Sequence, residues 1–254
     1  MKNHTAIISG ASSGLGAQIA QKFSSEGYAV LLLGRDSKKL QVAQKLCFKK
    51  QKKKPLIEVL AFNLIDLAAH AKSLQKILEE QLPPVKILVN NAGIFKRENF
   101  ATGSLKTWQE QFQINLFSAV ELTQLVWPQL KKNQGSIVNI ASTLGLKPTS
   151  GTGAYSASKA AMINWTLNLA QEGGAEGIRA NCICPGIVDT PIQSFHSLNK
   201  IEKNKVTEQI KKLQLLQQIG QPQHIAEAAY FLGSDLSSWT TGAILNVDGG
   251  IQIK

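Results

Sequence analysis

The sequence predicts an α/β fold built on a doubly wound parallel sheet, and three observations carry that prediction. Short apolar runs alternate with longer helical patterns from one end of the chain to the other. The first apolar run, Thr5–Ser9, opens directly into a glycine-rich stretch, Gly10–Gly16, and then into a helical pattern. No linker-like stretch and no internal repeat divides the 254 residues, so one domain spanning 1–254 is expected. Its sheet should have about seven strands, with helices on both faces.

Taken in order, Thr5-Ala6-Ile7-Ile8-Ser9 is the first strand, and Gly10, Gly14 and Gly16 follow it with the spacing G-x-x-x-G-x-G. Gly10 permits a tight turn. Gly14 and Gly16 let backbone and helix approach a pyrophosphate resting on the N-terminus of the helix Ala17–Glu26. A plain turn is the alternative for a glycine triplet. The strand before it and the helix after it favour a nucleotide site, which takes in Ser12, Ser13 and Leu15 of the same loop.

The second strand, Tyr28–Leu33, ends at Gly34-Arg35-Asp36. An acidic side chain at this strand end serves a ribose 2′-hydroxyl, whereas an Arg accommodates a 2′-phosphate. Gly34 holds the strand end and Arg35, a planar cationic fork, follows, so NADP(H) is preferred, with NAD(H) the alternative. Asp36 is read as the N-cap of the helix Ser37–Lys49; the ribose acid is its other reading.

Leu56–Phe62 is the third strand, followed by Asn63-Leu64, and the helix Asp66–Gln81 stops at Pro83-Pro84. The fourth strand, Val85–Val89, runs into Asn90-Asn91-Ala92-Gly93. This small-residue turn lies at the C-terminal edge of the sheet, where position argues for cofactor contact by Asn90, Ala92 and Gly93. Leu105–Leu130 is one long helical pattern with Asn115 inside it. Asn is mildly unfavourable there and, if buried, needs partners, ordered water being a common one.

Ser136–Ile140 is the fifth strand, a helix runs from Tyr155 to Glu172 until Gly173-Gly174 disrupts it, and Ile178–Cys184 is the sixth strand. Pro185-Gly186-Ile187-Val188-Asp189-Thr190-Pro191 follows as a loop. Gln193–Gln217 is polar, lysine-rich and weakly amphipathic, which suits a substrate-binding lid over 190–217. His196 within it reads as solvated rather than catalytic. His224–Leu232 is helical, and Ala243–Val247 is the last strand before Asp248-Gly249-Gly250.

Composition narrows the class. A hydrophobic content of 43% is ample for a sizeable core. No apolar run reaches the roughly eighteen residues of a membrane span. Met1-Lys2-Asn3-His4-Thr5 leads into a strand-like segment with no signal or transit pattern. Cys47, Cys182 and Cys184 are odd in number and lack metal-ligand spacing, which fits reduced thiols, no metal site and a cytoplasmic location. Net charge is +11, and five of those charges sit in Lys49-Lys50-Gln51-Lys52-Lys53-Lys54, read as a solvated loop. A basic surface attracts anionic substrates or polyanions. No helix-turn-helix, zinc-finger or aromatic-rich RNA motif is present, which argues against specific nucleic-acid recognition.

The chemistry centres on Tyr155-Ser156-Ala157-Ser158-Lys159. Tyr155 and Lys159 are four apart and share one helix face. An ammonium near a phenol favours the phenolate and is expected to pull the Tyr pKa below its unperturbed ~10. Such a phenol can give or take a proton. Ser142, just after the fifth strand, stands at the ligand-binding edge of the sheet.

Several of these motifs in register resemble the short-chain dehydrogenase/reductase family, over essentially the whole chain. Ser9-Gly10-(x)3-Gly14-Leu15-Gly16 is similar to T-G-x-x-x-G-x-G, and Asn90-Asn91-Ala92-Gly93 to N-N-A-G. Asn115, Ser142, Tyr155 and Lys159 match the family's Asn-Ser-Tyr-Lys tetrad in order and spacing. Cys184-Pro185-Gly186 with Thr190, and Asn246-Val247-Asp248-Gly249-Gly250, match as well. Ser9 departs from the usual Thr, and Asn63 from the usual Asp before the adenine-side Leu64.

The resemblance implies a Rossmann-type fold and a set of roles. Tyr155 would be the general acid in reduction and the base in oxidation. Lys159 would lower its pKa and hold the nicotinamide ribose. Ser142 would bond the substrate carbonyl as negative charge develops. Asn115 would hold a water linking Lys159 to solvent. Ile187 and Thr190, in one loop with Pro185 and Gly186, would contact the nicotinamide amide.

Within the family, Gly220–Glu227 and Thr241–Gly250 look most like 3-oxoacyl-[acyl-carrier-protein] reductases, although such tails recur in reductases of sugars, steroids and small ketones. Lys131 and Lys132 are candidate contacts for an acidic acyl carrier or coenzyme A. Glu176 stands where a carrier-protein enzyme would be expected to have a basic residue. The expected function is NADPH-dependent reduction of a ketone, with a 3-oxoacyl thioester among the substrates. An NAD-dependent alcohol, sugar or steroid dehydrogenase and a non-catalytic NADP-binding regulator are the alternatives. The resemblance also implies a homotetramer built on the helices holding Asn115 and Tyr155 and on the C-terminal strand. Trp108 and Trp165 on those helices are read as core or interface.

Overall fold

Seven apolar runs form the seven strands of one parallel sheet: β1 Thr5–Ser9, β2 Ala29–Gly34, β3 Ile57–Ala61, β4 Val85–Asn90, β5 Ser136–Ile140, β6 Arg179–Pro185 and β7 Ile244–Val247. The structure is a computed structural model that describes residues 3–48, 55–193 and 200–254. The basic run 49–54 and His196 lie outside the described residues.

The strand order is β3-β2-β1-β4-β5-β6-β7, with every pairing parallel. The chain first winds outward from β1 to β3, then returns to β4 beside β1 and winds the other way. That reversal opens a crevice between the loops that leave β1 and β4.

The strands are apolar on both faces because helices cover both. On β1, Ile8 joins the core that also holds Phe23, Val30, Leu40, Ile225 and Leu232. Its neighbour Ile7 joins the opposite core with Leu31, Leu74, Leu122, Val126 and Leu169. The first layer belongs to α1 Gly14–Ser25, α2 Ser37–Phe48 and α8 Pro222–Gly233. The second belongs to α3 Leu67–Glu80, α5 Ser118–Lys132 and α6 Gly153–Gly174. Trp165 on α6 packs against the second layer and against a smaller cluster around Met162, Cys182 and Cys184.

Two helices depart from expectation. The pattern read as one helix over 105–130 is α4 Leu105–Phe112, a π-helical turn Gln113–Phe117, and then α5. The π turn carries Asn115, whose side chain is bonded across to another loop, so tertiary contacts override the local repeat. In α6 the helix continues through Gly173-Gly174. A Cβ on Gly173 would lie 3.1 Å from the Ile178 Cβ and 3.3 Å from the Trp127 ring, so this glycine serves close packing rather than helix termination. Within 193–217 the described chain forms α7, Lys200–Leu213.

No disulfide joins the three buried cysteines. Among the described residues no helix is long and apolar enough to cross a membrane.

Candidate active site

The crevice between β1 and β4 is tied shut at its base by short side chains. The Ser9 hydroxyl accepts from the backbone N–H groups of Asn91 (3.0 Å) and Ala92 (3.1 Å). In return the Asn91 amide donates to the carbonyls of Ser9 (2.9 Å) and Gly10 (3.2 Å). Ser in place of Thr at position 9 therefore keeps the bond. Asn91 is the residue of the N-N-A-G turn that reaches the glycine loop with its side chain. Asn90 turns inward, donating to Thr123 (3.0 Å) and Asn139 (2.9 Å). The Asn90 side chain therefore faces the interior of the sheet, which leaves only its backbone toward the crevice.

The glycines act where the loops meet. Gly10 has φ +65°, and a Cβ there would sit 2.8 Å from the Ala92 Cα. On Gly16 it would sit 2.3 Å from the Gly10 carbonyl. The N-terminus of α1 has no side-chain cap, and Ser13 beside it is exposed. Free backbone donors at an uncapped helix N-terminus, with Ser12 and Leu15 in the same loop, fit a diphosphate. Across the crevice Thr190 and Pro191 approach Gly14, within 3.6 and 3.4 Å of where its Cβ would be. The two ends of the predicted cofactor site are therefore adjacent. Gly186 packs on Asp248 so closely that a Cβ would lie 2.7 Å from the Asp248 Cα, and its N–H donates to Val247 (3.1 Å), which sets the Pro185-Gly186-Ile187 turn on the end of β7.

At the end of β2, Arg35 is exposed and Asp36 is engaged elsewhere. The Asp36 carboxylate accepts the Lys39 N–H (3.0 Å) at the start of α2 and sits 3.9 Å from the Lys39 ammonium, which is the expected N-cap. Gly34 brings Ser12 close to this corner, 3.5 Å from where a Cβ on Gly34 would be. Asn63 makes a long bond (3.5 Å) to the Ile65 N–H at the turn that buries Leu64.

The four candidate catalytic residues converge beyond this crevice. Ser142 follows β5, caps the 3₁₀ turn Thr143–Gly145 through the Leu144 N–H (3.1 Å), and stands near enough to the Tyr155 phenol to favour its ionised form. Lys159 is buried, and its ammonium donates to the Ile140 carbonyl (2.8 Å), 6.0 Å from the Tyr155 ring centroid. Asn115 is fully buried. Its amide accepts from the Ile94 N–H (2.8 Å) and donates to the Ile94 carbonyl (3.1 Å) and the Ser158 hydroxyl (3.0 Å). Ser158 in turn donates to the Tyr155 carbonyl (2.7 Å). Asn115 thereby joins the loop after β4 to the helix of Tyr155. A Cβ on Gly93 would meet both the Asn115 amide (3.3 Å) and the Lys159 ammonium (3.5 Å).

The electrostatics differ from expectation. Burial pushes the Tyr155 phenol up to about 12; the nearby Ser142 hydroxyl opposes this and loses. Burial brings Lys159 down to about 8. The ammonium is committed to Ile140 rather than to the phenol, so it does not offset the phenol's desolvation.

Sequence reasoning missed three neighbours. Phe95 meets the Tyr155 ring edge-on at 4.7 Å between centroids, and the Arg97 guanidinium lies over Phe95 at 5.7 Å. Fully buried Gln111 holds residue 96 by its N–H (3.1 Å) and carbonyl (3.3 Å). The one available signal was Gln111 at four residues from Asn115 on the same helix. A cavity of about 510 Å³, lined by Ile187, Val188, Leu216, His224, Val247 and Gly249 among others, adjoins the loop after β6.

Known proteins match along the whole length. A family model described as enoyl-(acyl carrier protein) reductase covers residues 10–252. A 3-oxoacyl-[acyl-carrier-protein] reductase of Chlamydia trachomatis is 34% identical over 253 residues, 98% of this chain and 97% of that one. An acetoacetyl-CoA reductase of Shinella zoogloeoides is 32% identical over 251 residues, 98% of each. Among solved structures, the L-sorbose reductase of Gluconobacter frateurii complexed with NADPH and L-sorbose is similar at 25% identity with a TM-score of 0.91 over 100% of both chains. Matched over nearly its whole length, the chain belongs to the short-chain dehydrogenase/reductase family of NAD(P)-dependent oxidoreductases.

Proposed function

We propose that this protein is an NADPH-dependent carbonyl reductase that converts a ketone to a secondary alcohol, with 3-oxoacyl thioesters among its substrates. The observation that carries the reading is the convergence of Ser142, Tyr155 and buried Lys159 at the sheet edge, beside an uncapped helix and a glycine cradle. The nicotinamide, when bound, supplies the hydride. Gly10, Ser12, Ser13, Gly14, Leu15 and Gly16 hold the diphosphate. Asn63 and Leu64 flank the adenine, and Ala92 and Gly93 line the crevice. Pro185, Gly186, Ile187 and Thr190 hold the nicotinamide amide. Tyr155, protonated throughout the neutral range, gives its proton to the developing alkoxide while Ser142 bonds the carbonyl oxygen. Lys159 orients the ribose. Asn115 positions the helix turn that carries Tyr155.

Arg35 reads the 2′-phosphate, since Asp36 is occupied as a helix cap. The relative crystallised with NADPH supports this preference, and the two relatives named for 3-oxoacyl and acetoacetyl substrates support the substrate class. A carrier protein is disfavoured as the thioester partner that presents the 3-oxoacyl chain. Lys131 is paired with Glu176 (2.8 Å), which also accepts from the Trp127 indole (2.7 Å); these two contacts hold the carboxylate below its usual range. The working form is a cytoplasmic homotetramer of single-domain subunits, with 190–217 as the lid.

Initial rates with NADPH and NADH on a short 3-oxoacyl thioester and a panel of ketones test the proposal. Strong NADPH preference is expected, lost in Arg35→Ala. Tyr155→Phe is expected to keep NADPH binding and lose on the order of 100- to 10,000-fold in turnover. NADH preference would make Asp36 the ribose acid and the enzyme a dehydrogenase. Tight NADPH binding with a fully active Phe variant would remove Tyr155 from the chemistry.

A further inference from the structure

We infer that Arg97 is a specificity residue that selects substrates carrying an anionic group, a carboxylate or phosphate, on the same molecule as the reacting ketone. The inference rests on the carbonyl-reductase reading and names the substrate class within it.

The loop after β4 is a pinned strap. Alternate residues are anchored through their backbones: residue 94 by Asn115, residue 96 by Gln111, and residue 98 by the Gly151 carbonyl (3.0 Å). Asn115 and Gln111 are both fully buried and one helical turn apart, so the strap is read by two amides on a single helix face. The residues between the anchors carry the side chains that build toward the reaction centre. Phe95 meets the Tyr155 ring, and Arg97 lies over Phe95. The two centroid separations together keep the guanidinium within about 10 Å of the phenol ring.

Lys96 is paired with Glu110 (2.6 Å). One oxygen of the Glu98 carboxylate accepts from Thr107 (2.9 Å), and the other is buried without a hydrogen-bond partner, turned into the protein rather than toward solvent. Arg97 forms no ion pair among the described residues, is exposed on its outer face, and has its inner face covered by an aromatic ring. A guanidinium is always charged and offers a planar fork of donors suited to an oxyanion. Its stacking on Phe95 and the backbone anchors reduce the conformational freedom that a surface Arg would lose on binding. A cation fixed this close to the proton donor discriminates among ketones by what they carry a few bonds from the carbonyl.

The test is a homologous series of 4-, 5- and 6-oxo carboxylic acids, each paired with its methyl ester, with oxoalkyl phosphonates separating phosphate from carboxylate preference. The wild-type enzyme is expected to favour acid over ester in kcat/KM about tenfold at low salt, less at high salt. In R97Q the acid-to-ester ratio falls about tenfold, mainly through KM, and R97K restores part of it. Equal proportional losses on acids and esters, or a wild type that prefers esters, would overturn the assignment. Should no ketone be reduced, the carbonyl-reductase reading fails, and the inference is then read from binding. Calorimetry of the oxoacids on the NADPH complex of Tyr155→Phe is expected to give a Kd about tenfold weaker when R97Q is added; an unchanged Kd overturns it.

Discussion

Lys159 is a cation placed where a cation is costly. It is nearly inaccessible, its ammonium bonds one backbone carbonyl, and burial lowers its pKa from 10.5 to about 8. Tyr155 shifts the opposite way, to about 12, so the phenol stays a proton donor while Lys159 is the first of the pair to titrate above neutrality. Reduction is therefore expected to be flat up to pH 7 and to decline through about 8, the value to which Lys159 is lowered, as the ammonium is lost. Stability should move the other way. Between about 8 and 10.5 the unfolded chain keeps the Lys159 proton and the folded chain does not, so stability rises with pH across that window. Lys159→Met removes this term. Melting curves from pH 7.5 to 9.5 should show a shallower upward contribution in the variant, by a few degrees at most; parallel curves for the two proteins would mean that Lys159 is not desolvated as described. At this scale the sequence pointed to Ser142, Tyr155 and Lys159 as candidates but not to their setting. A four-residue spacing puts Lys159 near Tyr155, and only the tertiary structure reveals that the ammonium is captured by Ile140. Phe95 lies sixty residues upstream of Tyr155, and no local pattern links them.

The first βα element is where sequence and structure agree most tightly, because its glycines are dictated by contact. A Cβ at position 16 would meet the backbone carbonyl of Gly10 at 2.3 Å and the Asn91 amide at 2.6 Å. A carbonyl cannot rotate out of the way without moving the loop, so Gly16→Ala should cost about 1–3 kcal/mol. The same shift displaces the uncapped N-terminus of α1. Calorimetry should therefore find both a lower Tm and NADPH binding weakened tenfold or more; a variant that melts normally and binds normally would mean that the loop is slack. The helix over 105–130 is the counterexample. Its apolar repeat is continuous enough to read as one element, and the π turn arises because Asn115 and Gln111 must both face the strap over residues 94–98. Such a turn is set by partners distant in sequence, which a local periodicity does not encode. Gly173-Gly174 misled for the related reason that glycine in a helix signals either an end or a close neighbour; Gly173 has such neighbours in Ile178 and Trp127, whereas Gly174 faces open space.

For the molecule as a whole, the alternation of strands and helices was legible because the strands between the edges β3 and β7 are largely buried on both faces and read as short, mostly apolar runs. What does not follow from core formation is the set of apolar side chains left outside it. Leu105 and Phe117 flank the helices of Asn115, Leu167 is exposed on the helix of Tyr155, and Phe231, Leu236 and a fully exposed Trp239 (100%) gather just before β7. In the proposed homotetramer, which with dihedral symmetry has more than one kind of two-fold contact, these side chains would lie at the contacts. Each contact is then independent of the other. Sedimentation velocity at micromolar concentration should find a tetramer for the wild type and dimers for both Phe117→Glu and Trp239→Glu, with monomers in the double variant. The helical face carries the elements that hold Asn115 and Tyr155, so Phe117→Glu should also lower kcat, whereas Trp239→Glu should change assembly more than turnover. A wild-type monomer, or a tetramer that survives both substitutions, would assign these side chains to another role.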